Sequence, residues 1–242
     1  MIKSLIQVLR YLKEFFKKTS GRYSEQLPYI LIGIVALVVF VGGIHLFVNL
    51  TDSVRDDAVA HYDQSISEFI TSYRSPWLTD YFTFVTEVGD ALGYLIVFVI
   101  CTILFYVVFK NWKYVIQISA VLILALSSNL ILKQMINRAR PSVEHLVEVK
   151  TLSYPSGHAM MAMAFYGFII YLIFHFKLSK TVKWISAVVL TILILSIGIS
   201  RIYLGVHYPT DIAGGFIAGF LWVVFCAMIF NLIRIFKRDP KT

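Results

Sequence analysis

Charge is scarce in this chain: Asp, Glu, Lys and Arg make up 15% of its 242 residues, against about 25% in an ordinary soluble domain. Cysteine is nearly absent. Cys101 and Cys226 both fall inside apolar runs, so neither a disulfide framework nor thiol chemistry is expected. The sequence also lacks internal repeats, low-complexity stretches and the N-terminal apolar core of a cleaved signal peptide. What fills the chain instead is hydrocarbon: 58% of residues are apolar and the mean hydropathy is +0.76. That balance excludes a water-soluble domain and predicts an integral membrane protein.

Six apolar segments, 28–50, 91–109, 114–136, 158–176, 182–199 and 211–233, are long enough, or nearly so, to cross about 30 Å of hydrocarbon. They predict an all-α, six-span helix bundle forming one catalytic membrane domain over 28–233. Before it, Leu5, Ile6, Leu9, Leu12, Phe15 and Phe16 recur at helical spacing beside Lys13, Lys17 and Lys18. Residues 1–27 therefore read as an amphipathic segment on the membrane surface, and 234–242 as a basic tail. Between the first two spans, 51–90 carries Tyr62, Ile66, Phe69 and Ile70 at helical spacing, then Pro76 and Trp77. One or two short interfacial helices are expected there, with Trp77, Tyr81 and Phe82 near headgroup depth.

The net charge of +8 raises the question of a nucleic-acid partner. Topology accounts for the excess. Lys and Arg at both termini, at Lys110 and Lys113, and at Lys177, Lys180 and Lys183 share one side of the bundle. By the positive-inside rule that side is cytoplasmic, with both termini on it. Neither nucleic acid nor an obligate protein partner is expected; membrane lipid is.

Three polar clusters interrupt the hydrocarbon, all on the opposite, outer face. The first is Lys133, six residues, then Arg140-Pro141. Those cations share one helix face if the third span runs on to Pro141. Arg138 lies off that face and reads as a solvated neighbour. The second is Pro155-Ser156-Gly157-His158, opening the fourth span. Ser156 suits a helix cap, Gly157 lets a ligand approach the backbone, and the helix start favours an anion. His158 adds a group that can protonate a leaving oxygen near neutral pH.

The third cluster is Ser200-Arg201, five residues, His207, three residues, Asp211. Asp211 can orient His207 so that its second ring nitrogen is free to attack, the logic of a triad applied to phosphorus. A His-Asp pair that only caps a helix is the alternative reading. Arg201 offers a two-pronged donor for phosphoryl oxygens. Alone each cluster is ordinary; three complementary ones on a single face point to phosphate-ester chemistry.

His158, His207 and Asp211 also make a conceivable facial metal triad. The adjacent Lys and Arg side chains would repel a divalent cation, and two-metal hydrolysis needs more carboxylates than Asp211, Glu144 and Glu148. A mechanism without metal or cofactor is expected. Other polar groups read as structural. His45 suits a bond between helices, and Gly215 and Gly219 suit close helix packing. His61 and His145 fall in outer loops, with contact between His145 and a headgroup the lesser reading.

As a set, the clusters resemble the type-2 phosphatidic acid phosphatase superfamily, the lipid phosphate phosphatases. Its pattern Lys-x6-Arg-Pro, Pro-Ser-Gly-His, Ser-Arg-x5-His-x3-Asp is matched without departure over 133–211. The resemblance implies that His207 forms a phosphohistidine, oriented by Asp211. It further implies that His158 protonates the leaving group and that Lys133, Arg140, Ser156, Gly157 and Arg201 bind phosphoryl oxygens. Size and an outward site look like the bacterial phosphatidylglycerophosphate phosphatase B group. The implied substrates are phosphatidylglycerol phosphate or undecaprenyl diphosphate in a bacterial inner membrane. A phosphotransferase using the same site is the first alternative. An anion channel or transporter is the second, though no interrupted spans or matched repeats suggest one.

Overall fold

A computed structural model of the chain describes Glu14 and residues 27–149 and 151–236. The amphipathic pattern expected over 1–27 and the end of the basic tail therefore lie outside the described residues, Glu14 apart. All regular structure among the described residues is helical: α1 (Leu27–Arg55), α2 (Ala60–Thr71), α3 (Pro76–Val88), α4 (Ala91–Phe109), α5 (Lys113–Ile136), α6 (Gly157–His175), α7 (Lys180–Tyr203) and α8 (Pro209–Phe236). The chain divides into two compact units, Met1–Val41 and Gly42–Thr242. Everything that follows concerns the second.

Five helices are long and apolar enough to cross a membrane: most of α1, then α5, α6, α7 and α8. The count is six if α3 and α4, which meet at a bend of 59°, are taken together as one apolar stretch. The protein is a multi-pass helical membrane protein. Gly89-Asp90 separates the two pieces, and the expected span 91–109 is itself one unbroken helix, α4.

Helix α6 is the centre of the bundle. Ala159, Met160, Ala162, Ala164, Phe165, Tyr166, Phe168, Ile169 and Leu172 are all buried, and it packs against α5, α7 and α8. Bundle helices in lipid gain little by leaving an apolar solvent, so close backbone approach holds them. Gly215 and Gly219 supply it, as expected. A Cβ at Gly215 would lie 2.7 Å from the Ser156 carbonyl oxygen, and one at Gly219 would lie 2.9 Å from Met163 Cβ.

The polar ends of these helices lead into the site. Helix α5 stops at Ile136 because Asn137 turns left-handed (φ 53°) and returns its N–H to the Lys133 carbonyl. Arg140 is consequently off the helix, and the expected shared face with Lys133 does not exist. Ser156 caps α6, with its hydroxyl 3.5 Å from the Ala159 N–H. Pro209 opens α8, as the sequence suggested. Between α7 and α8, Gly205 takes φ 80°, and a Cβ there would meet the Glu144 carbonyl oxygen at 2.5 Å. The short helices expected in 51–90 are α2 and α3. Ile70, Leu78 and Phe82 pack on Tyr203, Leu204 and Val206, which fixes these helices against the α7–α8 turn.

His45 contradicts its expectation: its Nε2 pairs with Asn49, one turn along the same helix, at 3.2 Å, not with a neighbouring helix.

Gly219→Val is expected to destabilise the fold by about 1–3 kcal/mol through overpacking against α6. Thermal unfolding of the protein in detergent micelles measures this, with Gly42→Val, where a Cβ meets nothing within 4 Å, as the tolerated comparison.

Candidate active site

His207 follows the α7–α8 turn, and Asp211 stands in the first turn of α8. Their side chains meet, with Nδ1 of His207 3.2 Å from Oδ2 of Asp211. The tautomer follows from the partners. A carboxylate can only accept, so Nδ1 carries the proton. Nε2 lies 3.2 Å from Nη1 of Arg140; a guanidinium can only donate, so Nε2 presents its lone pair. Asp211 has no exposed surface and His207 only 2%. Burial pushes the His207 pKa down to about 3, against the opposing pull of Asp211, so the ring is neutral at physiological pH.

A buried carboxylate needs donors. Asp211 accepts from Ser153 Oγ at 2.5 Å, the Tyr208 N–H at 2.8 Å and Arg138 Nη1 at 2.7 Å. Arg138 is thus no solvated neighbour. Its side chain keeps 14% exposure, its Nη2 holds Asp63 of α2 at 2.7 Å, and its plane lies over the Tyr208 ring at 4.3 Å. Burial works against its charge, but Asp211 and Asp63 more than offset this and raise its pKa. Asp63 also accepts from the Thr210 N–H at 2.9 Å, capping α8 from another helix. Sequence reasoning missed Arg138, Asp63 and Ser153. The only signal was Arg138's place two residues before Arg140, and its significance depends on where α5 ends.

The cations converge from three directions. Lys133 Nζ donates to Leu152 O and to Thr151 Oγ1. Arg140 donates to Thr151 O at 2.7 Å and Val206 O at 2.5 Å; burial lowers its pKa. Arg201, from α7, donates to Thr86 Oγ1 at 2.6 Å, while its buried Nε has no acceptor among the described residues. These three, with Gly157, His158 and His207, line one cavity of about 380 Å³. Thr83, Thr86, Glu87 and Asp90 from the 51–90 region complete its wall. Asp211 stands behind His207. Ser156 is fully buried at the head of α6 and does not line the cavity; its side chain is the helix cap.

His158 enters the cavity from the first turn of α6, with Nε2 2.8 Å from Asp90 Oδ1. His145 does not reach the site: its Nε2 bonds to the Pro141 carbonyl at 2.8 Å. Among the described residues no three His, Cys, Asp or Glu side chains cluster so as to hold a metal ion. The arrangement offers a neutral nucleophilic nitrogen, three cations for a tetrahedral anion, and a second imidazole for a leaving oxygen.

Comparison with known proteins agrees with this layout. Residues 114–234 match the PAP2 superfamily. Phosphatidylglycerophosphatase B of Bacillus subtilis (strain 168) is 33% identical over 200 residues, covering 81% of this chain and 93% of that protein. The bacitracin transport permease protein BcrC of Bacillus licheniformis is 40% identical over 86 residues, 35% of this chain and 37% of that one. The crystal structure of a transmembrane PAP2 type phosphatidylglycerolphosphate phosphatase from Bacillus subtilis superposes with a TM-score of 0.75 at 29% identity, covering 84% of this chain and 98% of its own. Aquifex aeolicus LpxE shares the fold, with a TM-score of 0.56 at 22% identity over 68% of this chain and 93% of that one. This chain belongs to the PAP2 superfamily.

Two outcomes follow from the buried network. Arg138→Met strands Asp63 and Asp211 without their shared cation, and loss of such a partner costs about 3–5 kcal/mol; unfolding in detergent reads it. For His207, a lowered pKa means that the neutral form persists until pH approaches about 3. Nitrogen NMR of histidine-labelled protein is expected to show one ring that stays neutral from pH 8 down to pH 5, assigned by its loss in His207→Ala.

Proposed function

We propose that this protein is a metal-independent membrane lipid phosphatase that removes the terminal phosphate of phosphatidylglycerol phosphate and/or undecaprenyl diphosphate. The observation that carries the reading is the Nε2 lone pair of His207 beside a cavity ringed by Lys133, Arg140 and Arg201. In this mechanism His207 Nε2 attacks phosphorus and becomes a phosphohistidine. Asp211 holds the Nδ1 proton and so keeps the attacking nitrogen unprotonated. Lys133, Arg140, Arg201 and the backbone at Gly157 bind the equatorial oxygens, where charge grows in the transition state. His158 protonates the leaving oxygen and then takes a proton from the attacking water. Ser156 supports that anion site through the helix start it caps. The printed name of the relative that covers most of this chain, phosphatidylglycerophosphatase B, favours the first substrate.

A lipid keeps its tail in the bilayer, and a second cavity suits the tail. It has a volume of about 520 Å³, is walled by Tyr94, Leu95 and Phe98 of α4 and Leu122, Ile123 and Leu126 of α5, and shares Asp90, Asn129, Gly157 and His158 with the phosphate cavity. Sideways access between α4 and α5 is the route we infer. The distribution of Lys and Arg puts both termini in the cytoplasm and the site at the outer face of a bacterial inner membrane. We take 1–27 as an amphipathic membrane-surface segment, 28–233 as the catalytic domain and 234–242 as a basic cytoplasmic tail. Transfer of phosphate to a second lipid or a sugar would use the same site, and the depth of His207, 2% exposed, favours considering it.

Detergent-purified protein in EDTA is expected to release inorganic phosphate from phosphatidylglycerol phosphate, with undecaprenyl diphosphate assayed in parallel. His207→Ala is expected to lose at least about a thousandfold, as removal of a nucleophile does. Phosphate release that needs added metal, or that survives in His207→Ala, overturns the mechanism. Phosphate recovered on an added alcohol rather than as inorganic phosphate converts the reading to a transferase.

A further inference from the structure

Asp90 occupies the N-cap position of α4, at the break in the bent span. An aspartate there ordinarily accepts a hydrogen bond from the first free N–H groups of its own helix. Asp90 makes no such bond. Its carboxylate points to a different helix, with Oδ1 2.8 Å from Nε2 of His158. The carboxylate keeps 56% exposure and so stays hydrated, while the imidazole keeps 19%. Gly89 allows the approach: a Cβ there would come 2.8 Å from Ile197 and 3.3 Å from the His158 ring. No acceptor lies squarely along the Nε2–H direction, so charge joins the pair as much as hydrogen bonding. Acid–base pairs commonly tighten only around substrate.

We infer that Asp90 is the positioning residue for the general acid: its carboxylate orients His158 and favours the ring's protonated form for the leaving oxygen. This rests on the phosphatase reading above. The need for it is electrostatic. Lys133 of α5 and Arg201 of α7 face His158, and Arg140, His207, Glu87 and Glu148 line the same cavity. Tyr94 of α4 reaches only the His158 carbonyl, at 3.4 Å. The cations that bind phosphate therefore also drive a proton off the ring that must deliver one. Asp90 is the carboxylate in contact with it and opposes them. Glu87 and Glu148 make no such contact among the described residues.

The proton balance is simple. As the P–N bond to His207 forms, the P–O bond to the lipid breaks and its electron pair stays on the leaving oxygen. That oxygen takes the proton of the His158 imidazolium. His158, now neutral, accepts a proton from water as the water oxygen bonds to phosphorus. The P–N electron pair returns to His207, inorganic phosphate leaves, and the cycle closes with His158 protonated again beside Asp90.

The test compares two leaving groups in the same purified preparation, so that any unfolded fraction cancels. Phosphatidylglycerol phosphate releases an alkoxide that needs a proton; p-nitrophenyl phosphate releases a stable phenolate that hardly does. Asp90→Asn is expected to lower kcat on the lipid about 30-fold more than on the aryl ester, a share of the roughly 10²–10⁴ supplied by a general acid. The basic limb of the lipid pH profile is expected to move about one pH unit lower, and Asp90→Glu to recover part of the lipid rate. Equal losses on both substrates, or no loss on the lipid, overturn the role of Asp90 while leaving the phosphatase reading standing. Hydrolysis of both substrates by His207→Ala overturns the phosphohistidine mechanism, and hydrolysis of neither by the unaltered protein overturns the phosphatase reading itself.

Discussion

The carboxylate of Asp211, fully buried in an apolar bundle, is the constraint on which the site depends. An unpaired carboxylate there would give up its charge by protonation, and with it the ability to hold the His207 tautomer. The fold answers with donors drawn from separate elements: Arg138 after α5, Ser153 before α6, and Tyr208 and His207 in the α7–α8 turn. Arg138 itself carries a charge that needs an anion beyond Asp211, which brings in Asp63 of α2. Through this chain one catalytic carboxylate ties an interfacial helix, two loops and the head of α8 into a single arrangement. The Arg138 guanidinium against the Tyr208 ring adds a contact that an ammonium would make less well.

The phosphate cations follow the same economy in reverse. They surround no bound anion supplied by the protein, yet they are not free to turn away. Arg140 is held by the carbonyls of Thr151 and Val206, Lys133 by Leu152 and Thr151, and Arg201 by Thr86. Neutral acceptors fix a cation's direction without cancelling its charge. A phosphoryl group then meets charges already oriented, which is the condition under which electrostatic stabilisation is effective. Burial, with the charges of Arg140 and Arg201 adding to it, also explains why His207 is so hard to protonate and why its nitrogen stays available for attack.

Most of the candidate site residues were legible in the sequence, while those that support them were not. Lys133, Arg140, His158, Arg201, His207 and Asp211 could be found because each breaks a hydrocarbon run at fixed spacing, and in a membrane such breaks are costly. Asp63, Asp90 and Thr86 sit in the polar 51–90 region, where a carboxylate or hydroxyl costs little and no pattern marks it. Arg138 was misread for a different reason. Its surroundings depend on α5 stopping at Asn137, and the left-handed turn of one asparagine is a local choice that hydropathy does not record. Helical periodicity located the spans, 91–109 among them, to within a few residues, yet it carries no sign of the bend that precedes that helix. The 59° bend joining it to α3 is set by packing against α7 and by Gly89, features that no single segment contains.

That bend places chemistry where a straight helix could not. Here the break lies against His158 and Ile197, and it borders both the polar cavity and the apolar groove. A continuous helix would present only side chains to that junction, with its carbonyls and N–H groups bonded internally. Interrupting it removes one turn of hydrogen bonds and turns a capping position toward the site, so an aspartate can face another helix instead of its own. The junction is also where an amphiphile changes character, from hydrocarbon on α4 and α5 to phosphate among Lys133, Arg140 and Arg201. The break between α3 and α4 is thus the element that sets a polar cavity and an apolar one side by side with His158 between them.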